Sequence, residues 1–298
     1  MRSEPGIPGL QLVRSGKVRE LYQVGHDRLL LVASDRISAF DVVLGEPVPD
    51  KGRVLTALSS HWFDLTRQLV PNHVVSADPT DFPETTPAAF SGRATLVKAA
   101  RVVPMECVVR GYLFGSAYSE YEAQGTVNWV RLAPGLRQAE ELPEPIFTPT
   151  TKAEVGHDEA LSAEAAVALV GEDRYEALRE LSVAVYRFGA ARCASAGFIL
   201  ADTKFEFGEL DGELLLIDEL LTPDSSRLWS IEEYKPGTSP PSFDKQFVRD
   251  YLDSVGWDRR PPPPRLPKEI VEGTRARYVE AYEQLTGASF DAWHGEEP

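Results

Sequence analysis

A chain of 298 residues with 43% hydrophobic and 26% charged side chains has the length for two lobes and the apolar content for a packed core, which excludes a disordered or fibrous protein. Its net charge of −15 argues against nucleic-acid binding, which draws on clustered Lys and Arg, so any anionic substrate must be met by cations gathered locally. Cys107 and Cys193 build neither a disulfide framework nor a zinc site, and no apolar run approaches the roughly 18 residues of a membrane span, so a cytoplasmic protein in a reducing compartment is expected.

The opening MRSEPGIPGL has no basic stretch followed by an apolar one, and so no export pattern. Residues 12–24 and 29–34 are β-rich runs around a Gly-containing turn, a predicted hairpin. Val54, Leu58, Trp62, Leu65 and Leu69 recur near helical spacing, and Pro71 ends that helix. Residues 94–111 return two extended segments broken at Pro104. Residues 115–123 read as a helix stopped by Gly125, and Leu132 to Thr151, rich in Pro, Glu and Thr, as a long surface loop. Residues 162–197 form two helices around Gly171-Glu172-Asp173, with Gly197 as the stop. A second hairpin turns at Glu209-Leu210-Asp211-Gly212. After the stiff Pro261–Pro264 run, the spacing of Ile270, Ala276, Tyr278 and Tyr282 predicts a helix from about Lys268 to Leu285. The order of elements points to an α+β protein with two lobes around a cleft.

The second hairpin carries the strongest chemical signal. Period-two alternation sets Asp202, Lys204 and Glu206 on one face and Thr203, Phe205 and Phe207 on the other. If Asp218 on the partner strand stands opposite Glu206, two hard oxygen donors converge as Mg²⁺ bearing nucleotide phosphates requires. That register needs an odd loop; a two-residue Asp-Gly turn would pair Glu206 with Ile217 and put Asp218 on the other face. A solvated strand of alternating charge is the alternative, weakened because Leu214 to Ile217 has no polar face.

Other segments are individually modest. Gly16, Lys17, Val18 and Arg19 make a turn that projects two cations to one face, as a phosphate cover would, although no Walker loop is present. Asp35, Arg36 and Ser38 follow a fully apolar strand; a functional strand end and a helix cap with a surface ion pair explain them equally. Thr222 to Arg227 could clamp an anion through Arg227 and two hydroxyls, or be an ordinary capped turn. Arg110 and Ser116 flank a possible anion-binding helix entry. His157 lies in a polar loop with Lys152 and Asp158. The remaining histidines lack metal-ligand spacing.

In chain order, SGKVRELY (15–22), SDRISAFD (34–41), PDKGRVLT (49–56), ECVVRGYLFGS (106–116), FTPTTKAEVGHDE (147–159), ILADTKFEFG (199–208), LIDELLTPDSSRLW (216–229) and SFDKQFVRDYL (242–252) resemble the phosphoribosylaminoimidazole-succinocarboxamide synthases, the SAICAR synthetase family of purine biosynthesis. The resemblance implies an α+β fold of two lobes around an ATP cleft, related to ATP-grasp and kinase lobes, with a C-terminal helical extension. It implies an N-terminal ATP-binding lobe over 1–104, a second lobe with metal and substrate sites over 105–258, and a Pro-rich linker and helix over 259–298 packed on the body.

The implied reaction joins carboxyaminoimidazole ribotide (CAIR) to L-aspartate through an acyl phosphate at the expense of ATP, in a monomer with small-molecule partners only. By motif, Gly16, Lys17, Val18 and Arg19 would hold ATP phosphates. Met105, Glu106, Cys107 and Val108 would be the interlobe hinge at adenine, and Glu206 and Asp218 would bind Mg²⁺ beside Lys204. Arg110, Ser116, Asp224, Ser225, Arg227, Lys245 and Arg249 would hold the ribotide, with Lys204, Asp224 and Arg227 nearest the chemistry. Asp35, Arg36, Ser38, Lys152, His157 and Asp158 would lie on the aspartate side. Positioning and charge neutralisation suffice for such chemistry, and no covalent nucleophile stands out. A small-molecule kinase using the same site, or a nucleotide-binding regulator without turnover, are the rival readings.

Overall fold

The computed structural model describes residues 6–152 and 158–293. The chain begins with β1 (Leu12–Ser15), β2 (Arg19–Val24) and β3 (Arg28–Ala33). The expected hairpin forms between β2 and β3, with Tyr22 opposite Leu30 and Val24 opposite Arg28. Two short strands, β4 (Ser38–Ala39) and β5 (Val42–Val43), pair with each other before α1 (Lys51–Thr66), β6 (Val74–Ser76) and β7 (Ala94–Lys98). The antiparallel sheet of this unit runs β1-β2-β3-β7-β6. Its inner face packs Tyr22, Leu30, Val32 and Leu96 against Phe82 and Phe90. Val54, Leu58 and Trp62 are fully buried on α1, but Leu65 and Leu69 are 36% and 44% exposed. The expected apolar stripe is shorter because the helix closes at Thr66, whose carbonyl accepts from both Leu69 N and Val70 N before Pro71.

A second unit follows: β8 (Arg101–Val102), β9 (Met105–Leu113), α2 (Ser116–Gln124), β10 (Thr126–Val127), β11 (Val130–Arg131), β12 (Glu140–Phe147), β13 (Thr150–Thr151), α3 (Ala163–Val170), α4 (Glu172–Ser195), β14 (Phe198–Leu210), β15 (Glu213–Ile217) and β16 (Ser226–Ser230). Strand β14 is the spine of a seven-stranded sheet, pairing with β9, β15, β16 and β8, while β9 also takes β12 and β13. The expected loop over 132–151 is therefore corrected, since β12 and β13 lie within it and pair with β9. Pro143 and Pro145 are tolerated because they fall in the irregular stretch between the Glu141–Tyr112 and Ile146–Arg110 pairs, where the ladder is interrupted.

Helix α4 lies over β9, and the contact depends on one glycine. A Cβ added at Gly111 would stand 1.9 Å from Tyr186 Oη, which donates to Leu200 O at 2.6 Å. Gly111→Ala is expected to lose about 3 kcal/mol of stability, because the clash is with a buried side chain and not a flexible end. Urea unfolding measures this, and a Tyr186→Phe background should recover only part, since the ring carbon Cζ would still be 2.8 Å away.

The chain then closes with α5 (Gln246–Ser254) and α6 (Lys268–Thr286). Thr274, Tyr278, Ala281 and Tyr282 are the buried side of α6, whereas Ala276 is exposed and Ile270 half-buried, so the helix is where the spacing set it but rotated. Arg275 holds Asp50 through two bonds of 2.8 and 2.6 Å, Glu46 accepts from Leu266 N at 2.9 Å, and Trp293 Nε1 donates to Gly92 O at 2.8 Å. These contacts explain why everything described from Phe243 onward belongs to the first unit, with residues up to Asp64 and His73–Ala99. The second unit takes Leu65–Asn72 and Ala100–Ser242. Besides the short excursion of Leu65–Asn72, the chain changes unit at Ala99–Ala100 and at Ser242–Phe243, where the sequence suggests 104 and 258. No helix among the described residues is long and apolar enough to cross a membrane.

Candidate active site

On β14 of the second unit, Asp202 stands opposite Arg110 of β9 on one side and Arg227 of β16 on the other. The row is joined by side chains: Arg110 Nη1 and Arg227 Nη1 reach the same Asp202 Oδ2 at 3.1 and 2.9 Å. Arg110 also donates to Thr148 Oγ1 at 3.0 Å, and Arg227 lies 4.8 Å from the Phe114 ring centroid. Two guanidiniums share one carboxylate, which leaves one positive charge in a place only 14–29% open at the arginine side chains. Burial lowers the pKa of Arg110, Asp202 opposes that, and Arg227 adds to it. The first turn of α2 begins beside this row. Its cap, Gly115, has a φ of 62°, provides no side-chain acceptor, and a Cβ there would be 3.3 Å from Arg227 Nη1. Ser116 is exposed at the opening of α2, whose unbonded N–H groups favour an anion.

Two residues along β14, Lys204 donates to Glu106 at 2.6 Å, and two further on Glu206 forms an ion pair with Lys152. Burial opposes the charge on Lys204, but Glu106, followed by Glu206 and Asp218, raises its pKa above the ordinary ammonium value. The alternation holds as expected, with Thr203, Phe205 and Phe207 in the core. The register does not. Asp211 (φ 52°) and Gly212 (φ 85°) form the two-residue turn, and Glu206 faces Ile217. Asp218 nevertheless remains near Glu206, since its charge is the second cause, after burial, that raises the Glu206 pKa. Strand β15 stops at Ile217 and Asp218 adopts a left-handed φ of 67°, so the strand's alternation does not set the direction of its side chain.

A carboxyl group raised in the folded state binds its proton more readily than in the unfolded chain, so its contribution to stability falls as pH rises from the ordinary 4.5 through the raised value. Without divalent cations, Glu206→Gln should therefore flatten the loss of stability above pH 4.5, as followed by urea unfolding across pH; an unchanged slope refutes this strain.

Several expected contacts are used internally. The Ser225 hydroxyl accepts from Thr222 N at 3.1 Å and donates to Thr222 O at 3.3 Å, so it closes its own turn, with Asp224 half-buried beside it. Its carbonyl accepts from Lys204 N at 2.9 Å and so fixes that backbone. Met105 to Val108 lie inside β9, with β13 on one side and β14 on the other. Met105 N donates to Val103 O, and Val108 O accepts from Thr148 N. This is paired strand, with β13 alongside Met105 and Glu106 and β14 alongside Cys107 and Val108. Lys152, expected toward aspartate, pairs with the buried Glu206. Asp158 is exposed, and His157 lies outside the described residues.

In the first unit, Gly16 N donates to Arg19 O at 2.7 Å, closing the turn that exposes Lys17, which pairs with Asp41 at 3.2 Å. Val18 accepts from Ser34 N, and Arg19 opens β2 opposite Ala33. Arg36 is a strut for this turn and not an open contact: it donates to Lys17 O (2.9 Å) and Gly16 O (3.2 Å) and pairs with fully buried Glu20 (3.4 Å). Asp35 Oδ1 accepts from Gly52 N at 2.9 Å and so caps α1, while Ser38 pairs with Val43 in β4. Lys245 is the cap of α5 and Arg249 follows one turn later.

Asp202, Glu20 and the side chain of Glu106 are the charged partners in these rows that sequence reasoning did not assign. Only Asp202 had a signal, its place in the alternation with Lys204 and Glu206. Both thiols are buried and pushed up to about 12, which removes them as nucleophiles.

A family model described as SAICAR synthetase matches residues 12–264. A curated phosphoribosylaminoimidazole-succinocarboxamide synthase from Syntrophobacter fumaroxidans is 49% identical over 288 residues, 95% of each chain. One from Desulfosudis oleivorans is 51% identical over 285 residues, 94% of this chain and 97% of the relative. Among solved structures, a SAICAR synthase from Saccharomyces cerevisiae complexed with SAICAR is 42% identical, with a TM-score of 0.90 covering 96% of this chain and 98% of that one. A SAICAR synthetase in complex with ADP shares the fold at 24% identity and a TM-score of 0.68, covering 93% and 98%.

Proposed function

The chain belongs to the SAICAR synthetase family, and from that membership we infer that its charged rows serve one ligation. It is an ATP-dependent carbon–nitrogen ligase that joins CAIR to L-aspartate in purine biosynthesis, releasing ADP and phosphate. The observation that carries the residue assignment is the spacing on β14, where an Arg-Asp-Arg row and a Lys-Glu pair stand two residues apart. That spacing supports assigning anion fixation and phosphoryl-transfer electrostatics to one strand.

A ribotide carboxylate oxygen attacks the γ-phosphorus of ATP and ADP leaves; the aspartate amine then attacks the acyl carbon and phosphate leaves. Arg110 and Arg227, with the N-terminus of α2 at Ser116 and with Asp224, are assigned to orienting the ribotide's anionic groups. Lys204, kept protonated by Glu106, is assigned to the charge that develops on the transferring phosphoryl oxygens. In the first unit, Lys17 and Arg19 are assigned to nucleotide phosphates, Lys245 and Arg249 to an anionic group of the ribotide, and Ser38 to aspartate.

Glu206 and Asp218 suit Mg²⁺: both are hard oxygen donors, and burial first, then the charge of Asp218, raises the pKa of Glu206. A bound Mg²⁺ would neutralise triphosphate charge there, and Lys152 then becomes available to another anion. Assays of product test the whole reading: ADP and phosphate should appear only when ribotide and aspartate are both present. ADP released with ribotide alone, or ATP bound without turnover at saturating aspartate, overturns it. We further propose a cytoplasmic protein that is a monomer; sedimentation at the chain's own mass would bear out the monomer.

A further inference from the structure

Two lysines and an aspartate of the first unit meet at one tyrosine of α6. Tyr278 is fully buried, and its hydroxyl donates to Asp244 Oδ2 at 3.2 Å. Its ring lies 5.4 Å from Lys51 Nζ and 5.8 Å from Lys245 Nζ, measured to the centroid. Asp244 is 2% exposed and forms an ion pair with Lys245. Arg275, three residues before Tyr278 and so on the same helix face, holds Asp50 immediately ahead of the buried Lys51. Helix α6 thus secures the starts of both α1 and α5.

What it secures at α5 is a cationic helix entry. Lys245 is the cap residue, no side chain caps the helix, and Arg249 follows one turn later. Arg249 Nε is buried without a hydrogen-bond partner among the described residues. A buried guanidinium N–H that lacks an acceptor, beside a lysine at a helix N-terminus, is complementary to an anion. An ammonium on a flexible four-carbon stem serves such a site only if something fixes its direction. The Asp244 carboxylate and the face of the Tyr278 ring do so together.

We propose that Asp244 and Tyr278 are positioning residues for ribotide binding, holding the Lys245 ammonium so that it meets an anionic group of the substrate beside Arg249. The inference rests on the assignment of Lys245 and Arg249 above. It makes α6, which lies beyond the stretch matched by the family model, part of substrate recognition as well as of packing.

Tyr278→Phe keeps the ring and removes only the hydroxyl. In steady-state kinetics it should raise KM for the ribotide about 5- to 10-fold, with kcat within about twofold and KM for ATP unchanged. Asp244→Asn should raise the ribotide KM at least as much and carries the test if Tyr278→Phe folds poorly. Lys245→Ala should raise it further. The double variant Lys245→Ala/Tyr278→Phe should be no worse than Lys245→Ala alone, because Tyr278 acts through Lys245. A normal ribotide KM in both Tyr278→Phe and Asp244→Asn alongside a raised one in Lys245→Ala, or strictly additive effects, overturns the proposal and leaves the site assignment standing. If Lys245→Ala leaves the ribotide KM unchanged, the assignment itself fails and the proposal with it.

Discussion

Asp218→Asn is expected to yield a folded protein whose kcat has fallen by about 100- to 1,000-fold, the usual cost of deleting one charge that stabilises a transition state. The substitution is close to isosteric, and Asn tolerates the left-handed backbone (φ 67°) at this position. It also removes the charge that, after burial, raises the Glu206 pKa, so stability without divalent cations should hold or rise while turnover collapses. Opposite movement of stability and activity separates a functional carboxylate from a structural one. Raising the Mg²⁺ concentration should recover part of the rate. Near-wild-type kcat at moderate Mg²⁺ would rule out the metal assignment.

Arg227→Ala should raise KM for the ribotide by about 100-fold, in the range for removing one member of a desolvated charge pair from a binding site. The fold should tolerate it, because Asp202 keeps its bond to Arg110 at 3.1 Å and is not left as an unpaired buried charge. Arg227→Lys should recover little of the loss. The guanidinium bonds Asp202 at 2.9 Å while lying over the Phe114 ring, and an ammonium cannot present a planar face and directed N–H groups together. KM for ATP should stay near its normal value, as determined by varying each substrate in turn. If ATP and ribotide weaken equally, Arg227 is acting on the fold and not on the ribotide.

The two substitutions bear on residues that the sequence made visible for different reasons. Asp218 stood out through its hairpin with Glu206, and the expected register for that hairpin was wrong by one residue. The Asp-Gly pair does make a two-residue turn, with Glu206 facing Ile217. The left-handed backbone of Asp218 ends the strand, and no period-two pattern can express such a break. Arg227 stood out as one cation in a polar turn. Nothing in its neighbourhood could indicate that Asp202 and Arg110 complete its row from two other strands. Ser225, Asp35 and Arg36 show the reverse. Their residue types fit contacts with a substrate, and the fold also gives them internal partners, three residues away for Ser225 and 17 and 19 residues away for Asp35 and Arg36.

The sequence by itself determined the family, the α+β class, the two hairpins, the paired helices around Gly171 and the face on which Asp202, Lys204 and Glu206 lie. These follow from local periodicity, turn chemistry and motif order, which a linear chain carries in full. Tertiary structure alone decided that β12 fills the edge of β9, that Arg110 and Arg227 converge on one carboxylate oxygen, and that α6 returns to the first unit to hold Lys51 and Lys245 around Tyr278. Each joins residues tens to hundreds of positions apart, and such pairings are fixed by the burial of charge and by the filling of strand edges, neither of which leaves a periodic mark in the sequence.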